Sequence, residues 1–273
     1  MSSARLSERA SNCVRPVEIL IAMESPNTLL YLLHPEERAA IITAAEQIAL
    51  SPGSILHDFE KPIQHVYFLQ SGLCSKVALD LSGRKTEVGC IGREGFVGIP
   101  AVLGVDASPH RSCMETTGTA LRIRIGDLIM LIDAYPSVKS AMLRFAHVFM
   151  VQIASTALAN SRYNVVQRTA RWMLMSHDRA EGDELPLTHE FLSIMLGVRR
   201  SSITAAIHTL EGELAVRADR RLITVRDRDK LEELSGGSYG QAEAEYERVL
   251  GMAVSKAART SPMRRRNAPF AGG

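Results

Sequence analysis

Apolar and polar residues alternate along the chain in two successive patterns, and the first has the short period of strands. Between residues 47 and 124, apolar runs of strand length are separated by turn signals rich in Gly, Pro and Ser. Many short strands with this punctuation predict a small antiparallel barrel or double-sheet roll. The runs expected to form strands are Gln47–Leu50, His65–Leu69, Cys74–Leu79, Thr86–Ile91 and Ala120–Ile125.

The segments before these strands have other patterns. Residues 1–25 show no periodicity, which predicts a flexible tail. Residues 28–45 predict two short helices, the second beginning at Pro35, because proline is tolerated in the first turn of a helix.

The second pattern has the period of a helix. After Pro136, neither Gly nor a further Pro occurs before Arg162, which predicts a helix about 40 Å long. Its apolar residues form two adjacent stripes, and two stripes need two partners. We expect one stripe to pack on the roll and the other on a second copy of the helix, so that charge at Phe149 gives monomers. A single buried core helix is the alternative. The residues assigned to the dimer helix are Met142, Phe145, Phe149, Gln152, Ile153 and Thr156.

A helix is also predicted over Val165–Ser176, followed by a polar loop, and then residues 188–211 match the pattern of a helix–turn–helix. Thr188 is a good N-cap for the first helix. Ser193 is small where the two helices cross, and Gly197 supplies the positive φ of the turn. The apolar positions that the motif needs are filled by Leu192, Leu196, Val198, Ile203 and Ala206.

The second helix of such a motif places its N-terminal turn in the major groove of DNA. Arg200 could pair with a guanine through two hydrogen bonds. Beyond the motif, residues 215–228 predict a β-hairpin wing with basic residues at its tip. We assign base contacts to Arg199, Arg200, Ser201 and Thr204, and phosphate contacts to Thr188, His189, Ser202, Arg220 and Arg221.

Charge supports a polyanionic partner only when it is counted by region. The whole chain of 273 residues has a formal net charge of +2. Between Gly197 and Arg228, however, seven Arg stand against four acidic residues, and the 23 residues from Gly251 onward carry five basic residues and no acid. Clusters of this kind are typical of nucleic-acid binding, although a solvated face is the alternative.

Composition and motifs exclude several other classes. The chain is 46% hydrophobic, but no window approaches the roughly 18 uncharged apolar residues of a membrane span, so we expect no membrane partner. The four Cys have no zinc or iron–sulfur spacing, which predicts no metal site and free thiols in the cytoplasm. There is no GxSxG, no phosphate-binding GxxxxGK[ST], no HExxH and no His-x-His for a roll-shaped metal enzyme, so we expect no catalytic residues.

The order of roll, long helix and winged helix–turn–helix resembles the Crp/Fnr family of bacterial transcription regulators, over roughly Leu29 to Leu234. The IGREGFVG segment that ends at Gly98 is similar to the entry of that family's ligand cassette, and Arg111-Ser112 is similar to its phosphate-binding pair. The resemblance implies an effector pocket that includes Gly98, Arg111 and Ser112. It also implies a homodimer on double-stranded DNA, with RNA polymerase as a further partner.

The fold class implied is α+β, with an N-terminal antiparallel β-roll like a cyclic-nucleotide-binding domain, a long dimerisation helix and a C-terminal winged helix–turn–helix. Members that bind cyclic AMP have polar residues where this chain has Ile99, Ile153 and Ala154. Lost polar partners cost a buried polar ligand affinity, so we expect a regulator without cyclic AMP or another cofactor. A cyclic-nucleotide-responsive regulator of the same fold and a non-DNA-binding signalling adaptor are the alternatives.

These patterns divide the chain into five parts. Residues 1–25 form the flexible tail, 26–134 the sensor roll, 135–164 the dimerisation helix and 165–235 the winged helix–turn–helix. Residues 236–273 form a basic C-terminal extension that we expect to be largely disordered, although Ala242, Tyr246, Val249, Leu250 and Ala253 could lie on one face of a helix.

Overall fold

The computed structural model describes residues 27–254. The predicted N-terminal tail and the basic end beyond residue 254 lie outside the described residues. The described chain begins with a 3-10 turn at Leu30–Leu32 and helix α1 at Pro35–Ala44, which has proline in its first turn. Both predicted helical segments are therefore confirmed.

Eight strands form the predicted roll as two four-stranded antiparallel sheets. The sheets have the strand orders β1-β8-β3-β6 and β2-β7-β4-β5, and their apolar inner faces share one core. All five predicted strands are confirmed, whereas β2, β6 and β7 were not predicted because each has four residues or fewer and too little alternation. The elements are β1 (Glu46–Leu50), β2 (Ile55–His57), β3 (His65–Leu69), β4 (Cys74–Leu79), β5 (Lys85–Ile91), β6 (Phe96–Val97), α2 (Ile99–Val102), β7 (Arg111–Met114) and β8 (Gly118–Arg124).

Two helices lead out of the roll. Helix α3 (Ile125–Ala134) was not predicted, whereas helix α4 occupies Pro136–Arg162, as predicted. By length and composition α4 is apolar enough to cross a membrane, contrary to our expectation that no segment would be. However, 44% of its most apolar window is buried inside the protein, where the helix packs on the roll as a core helix does.

Most of the residues assigned to the dimer seam lie on the face of α4 that packs on the chain's own roll. Phe149 is only 6% exposed, and it belongs to the apolar core between α4 and the roll. The Gln152 side chain accepts a hydrogen bond from the Cys90 backbone N–H at 2.8 Å. A partner cannot reach these side chains, because they already contact their own roll. The assigned residues that are buried in this way are Met142, Phe145, Phe149 and Gln152, whereas Ile153 and Thr156 are half-buried.

The close contact between roll and helix depends on the glycine segment singled out in the sequence. At Gly95, a Cβ atom would stand 1.9 Å from the Phe145 ring, so any larger residue would push α4 away. Phe145 packs between Phe96, with ring centroids 5.4 Å apart, and Phe149, at 6.4 Å. The glycine therefore permits an aromatic cluster that fixes α4 on the roll.

The C-terminal half contains the helix–turn–helix, its wing and two further helices. The three-stranded wing sheet has the order β10-β11-β9, and β9 was not predicted. Helix α5 continues past the predicted end at Ser176, because the polar residues beyond it find buried partners. The elements are α5 (Val165–Arg179), β9 (Glu184–Leu185), α6 (His189–Leu196), α7 (Arg200–Gly212), β10 (Val216–Asp219), β11 (Leu222–Val225), α8 (Arg228–Leu234) and α9 (Gln241–Leu250).

The C-terminal extension is folded over residues 236–254: the amphipathic helix that the sequence allows here is present, and the disorder expected for most of the extension does not apply to this part. Helix α9 buries Ala242, Tyr246 and Leu250 and packs along α4. The Tyr246 hydroxyl donates to the Glu94 backbone carbonyl at 2.8 Å, and the His147 ring bonds the Glu245 carboxylate at 2.8 Å. The extension therefore returns to the sensor half of the molecule.

The two halves of the chain also contact each other directly through buried polar groups. The Arg179 Nε of α5 donates to Glu94 of the roll at 2.7 Å, and the two side chains are 4% and 5% exposed. The Trp172 Nε1 donates to Glu87 of β5 at 2.8 Å. Leu73 and Cys90 of the roll belong to the same apolar cluster as the core of the helix–turn–helix. These contacts hold the helix–turn–helix against the β4–β5 hairpin.

Candidate nucleic-acid interface

Helices α6 and α7 form the motif that the sequence predicts. Leu192 and Ile203 are fully buried in one cluster, and the small Ser193 is buried as well. Gly197 ends α6 with a φ of 63°, in the left-handed region that favours glycine. The Thr188 hydroxyl caps α6 by accepting a hydrogen bond from the Phe191 N–H at 3.1 Å.

The first turn of α7 presents the residues assigned to base contacts. Arg199, Arg200 and Ser201 are exposed. The Arg200 side chain is 69% exposed, and its Nε lies 3.9 Å from the Glu190 carboxylate. An ion pair that is so exposed and long contributes little, so Arg200 is free to exchange Glu190 for another partner.

Thr204 is less available than its neighbours. Its hydroxyl donates to the Arg200 carbonyl at 3.2 Å and also lies 3.0 Å from the His189 ring nitrogen. These bonds hold His189 and Thr204 together across the two helices. Thr204 could donate a hydrogen bond to a base only after giving up its bond to the Arg200 carbonyl, although its oxygen could still accept one.

A groove of about 620 Å³ separates the helix–turn–helix from the wing. Thr188, His189 and Arg200 line one side of it, and Arg220 and Arg221 line the other. Both wing arginines are exposed in the turn between β10 and β11, where Arg221 has a φ of 66°. Of the residues assigned to phosphate contacts, Ser202 is half-buried and does not line this groove.

A second concave site lies between the roll and α4, where the resemblance placed an effector. This cavity has a volume of about 560 Å³, and Gly98, Ile99, Ser112 and Ile153 line it. Arg111 does not: its guanidinium pairs with Asp58, with Nη2 and Oδ1 2.7 Å apart, and covers the Phe59 ring at 4.7 Å. Ala154 is exposed and does not line the cavity either.

The cysteines in the described part of the chain are free thiols, as predicted. Burial raises the pKa of Cys74 and of Cys90, and it raises the pKa of Cys113 to about 12. All three thiols are therefore protonated at neutral pH. Cys13 lies outside the described residues. Among residues 27–254, no group of three or more His, Cys, Asp or Glu is arranged to hold a metal ion.

Comparison with known proteins matches the C-terminal domain to a family and the whole arrangement to solved folds. Residues 167–234 match the Crp-like helix-turn-helix domain. A solved structure assigned to the Crp/Fnr family of transcriptional regulators, from Eubacterium rectale, is similar with a TM-score of 0.61 and 17% identity over 78% of this chain and 100% of that chain. A CRP-family transcriptional regulator from Thermus thermophilus has a TM-score of 0.61 and 16% identity over 71% and 98%. FixK2 from Bradyrhizobium japonicum has a TM-score of 0.60 and 15% identity over 70% and 96%. No curated protein matches the sequence.

The matched domain is a Crp-like helix–turn–helix, and the fold is shared with solved transcription regulators. Its β-roll, long helix and C-terminal helix–turn–helix have the architecture of the Crp/Fnr regulators. The resemblance that the sequence indicates is confirmed for the helix–turn–helix domain, by the family match, and for the fold, by the solved Crp/Fnr structures.

Proposed function

We propose that the chain binds double-stranded DNA as a homodimer, with the first turn of α7 in the major groove and the wing on the phosphate backbone. The observation that carries this proposal is the exposed arginine pair Arg199 and Arg200, standing beside a groove whose far side carries Arg220 and Arg221. Backbone N–H groups at the start of α6 face phosphate in the same docking.

The dimer would use the face of α4 that neither the roll nor α9 covers. Leu143, Met150 and Ala157 are exposed there at heptad spacing, with Ala154 between them. Met150 is 60% exposed, which is unusual for a large apolar side chain on a core helix. A parallel coiled-coil pairing would bury this stripe and present two recognition helices to one duplex.

The cavity beside α4 gives the dimer a place for an effector. Leu143 and Met150 line the cavity and also belong to the proposed seam, so an occupant would change the seam directly. We place this regulator in the cytoplasm, where genomic DNA is its partner and RNA polymerase a further one. We assign no catalytic residues to it.

Selection of bound genomic fragments by the purified full-length protein tests the proposal. We expect enrichment of a two-fold symmetric sequence, and Arg200→Ala should cost about 1–3 kcal/mol of discrimination at one base pair. Arg221→Ala should weaken binding to every DNA sequence by about the same factor. Arg84→Ala, which removes an exposed arginine from the roll, is the control and should change nothing. Failure to enrich any fragment would favour the signalling adaptor instead.

A further inference from the structure

The cavity between the roll and α4 has the chemistry of an amphipathic ligand. Most of its wall is aliphatic or aromatic and comes from the roll, helix α2, the loop after it and α4. Its volume of about 560 Å³ lies within the ordinary range of small-molecule sites. Six of the apolar residues that form it are Ile91, Val97, Leu103, Val105, Phe149 and Ile153.

The ionisable side chains of this wall are basic, and its other polar side chains are the neutral Ser108 and Ser112. Lys76, His110 and His147 line the cavity, and among the described residues that line it there is no aspartate or glutamate. His147 already bonds Glu245 of α9. Lys76 has only a neutral hydrogen-bond acceptor in the described part of the chain, the Ser108 hydroxyl, at 3.2 Å from Nζ.

Lys76 is thus an ammonium at a largely apolar site, and residues 27–254 provide no counter-ion for it. Burial lowers the pKa of Lys76, because the charged form loses hydration that Ser108 replaces only in part. An anion beside Nζ would supply the missing charge and form a charge-assisted hydrogen bond. The site therefore favours a negatively charged group at one end and apolar surface along the rest of the ligand.

A cyclic nucleotide fits this wall poorly. The arginine that the resemblance assigned to its phosphate is held by Asp58 and lies outside the cavity. A purine base would bring polar edges against Phe149 and Ile153, which offer no hydrogen-bond partner. An aliphatic chain has no such edges to desolvate.

We infer that the cavity binds an amphipathic carboxylate, such as a medium-chain acyl anion, with its head group on Lys76 and its chain between the roll and α4. This inference names the ligand class for the effector site of the proposed function. It depends on that function only for the regulatory consequence, because ligand binding can be measured without DNA.

Calorimetric titration of the full-length protein with decanoate tests the inference directly. We expect saturable binding of one decanoate per chain, and binding about tenfold or more weaker for decan-1-ol, which has the same chain but no charge. Cyclic AMP should bind no better than decan-1-ol. Equal affinity for decanoate and decan-1-ol, no binding of either, or tighter binding of cyclic AMP would each overturn the inference.

A pair of lysine variants tests the anchor. Lys76→Met keeps roughly the length of the side chain. It should weaken decanoate binding about tenfold or more while leaving the affinity for decan-1-ol unchanged. Lys85→Met, on the exposed end of the neighbouring strand β5, should leave both unchanged. Circular dichroism confirms that each variant is folded, and unchanged decanoate affinity in folded Lys76→Met would assign the head group elsewhere. The same samples in the DNA selection separate the two proposals, since decanoate binding without fragment enrichment contradicts only the proposed function.

Discussion

Gly197 determines how α6 and α7 cross, because its left-handed backbone makes the sharp turn between them. A Cβ atom at this position would also stand 3.2 Å from the Thr86 hydroxyl of the roll, closer than most Cβ contacts. The glycine thus serves both the motif and its contact with the sensor half. The first role follows from the local sequence pattern, whereas the second depends on a residue more than a hundred positions away.

We expect Gly197→Ala to lower the free energy of unfolding by about 1–2 kcal/mol, because an L-residue is strained at this φ. Gly212→Ala is a matched control with the opposite sign. It lies in the last turn of α7 with open space around it, and alanine there should raise stability by about 0.5–1 kcal/mol. Urea unfolding of both variants measures the difference, and equal effects would contradict the strain argument.

Glu87 is a carboxyl group buried at the junction of the roll and α5. Burial raises its pKa to about 7, and its hydrogen bonds with Ser75 and the Trp172 indole only partly oppose the shift. Glu115 adds to the rise and Arg171 opposes it. A folded-state pKa above the ordinary value of 4.5 means that the native protein binds the proton more tightly than the unfolded chain.

The contribution of Glu87 to stability is therefore complete below pH 4.5 and is lost as the pH rises through about 7. The loss amounts to as much as about 3 kcal/mol. Glu87→Gln should flatten the fall in stability between pH 5 and 8, because the amide does not ionise. Denaturant unfolding at both pH values checks this, and an unchanged slope in the variant would assign the titration to another group.

Helix α4 has three faces with different partners. One packs on the roll, one packs on α9, and one is exposed. The bounds of the helix follow from the sequence because the absence of Gly and Pro is a local property. Its faces do not, because both stripes are apolar and the pattern alone cannot say which of them the roll covers.

The two apolar stripes should respond differently to charge. Met150→Asp is expected to give folded monomers that no longer bind a symmetric DNA site, because the carboxylate would be buried in the seam. Met130→Asp is the control, since Met130 is a comparably exposed methionine on α3. Sedimentation measures the association state, and a dimeric Met150→Asp would place the seam elsewhere.

Phe149 reports on the other stripe. Phe149→Ala should cost about 3–5 kcal/mol of stability, because the side chain fills the core between α4 and the roll. Any loss of dimer in this variant should appear only together with loss of folded roll. Thermal unfolding of the variant checks the first effect. A Phe149→Ala variant that is stably folded but monomeric would support the dimer seam expected from the sequence, in which Phe149 takes part.

At the scale of the whole molecule, Glu94 joins three parts of the chain. Its carboxylate pairs with Arg179 of α5, and its backbone carbonyl accepts from Tyr246 of α9. Asp178, next to Arg179, pairs with Arg228 and accepts from the Tyr239 hydroxyl at 2.6 Å. The roll, the DNA-binding helices and the C-terminal segment therefore form one continuous packed unit.

We expect the intact chain to unfold in a single calorimetric transition because of this shared packing. Tyr246→Ala should remove about 3–5 kcal/mol and separate the transition into two, one for each half. Tyr31→Ala, at a half-exposed tyrosine near the start of the roll, is the control and should leave one transition. A single transition in Tyr246→Ala would show that the contacts between α5 and the roll suffice to couple the halves.

The sequence alone could not predict this coupling between the halves, for a physical reason. Arg179 and Tyr246 stand in segments that are polar or amphipathic, and their partners lie about 85 and 150 residues away. A local pattern shows that such residues can form a helix, but it does not show that they will be buried against partners far along the chain. The helix–turn–helix, by contrast, is completed by neighbours within some twenty positions.

The return of the C-terminal segment to the roll has a consequence for how this architecture can be recombined. A chimaera that exchanges the DNA-binding part of the chain at Asn164 would remove Arg179 and Tyr246 together with α6 and α7, and would leave the Glu94 carboxylate without its ion-pair partner. The interchangeable part is thus longer than the DNA-binding motif. A transplanted DNA-binding part must therefore supply its own partners for Glu94, or Glu94 must be replaced in the recipient.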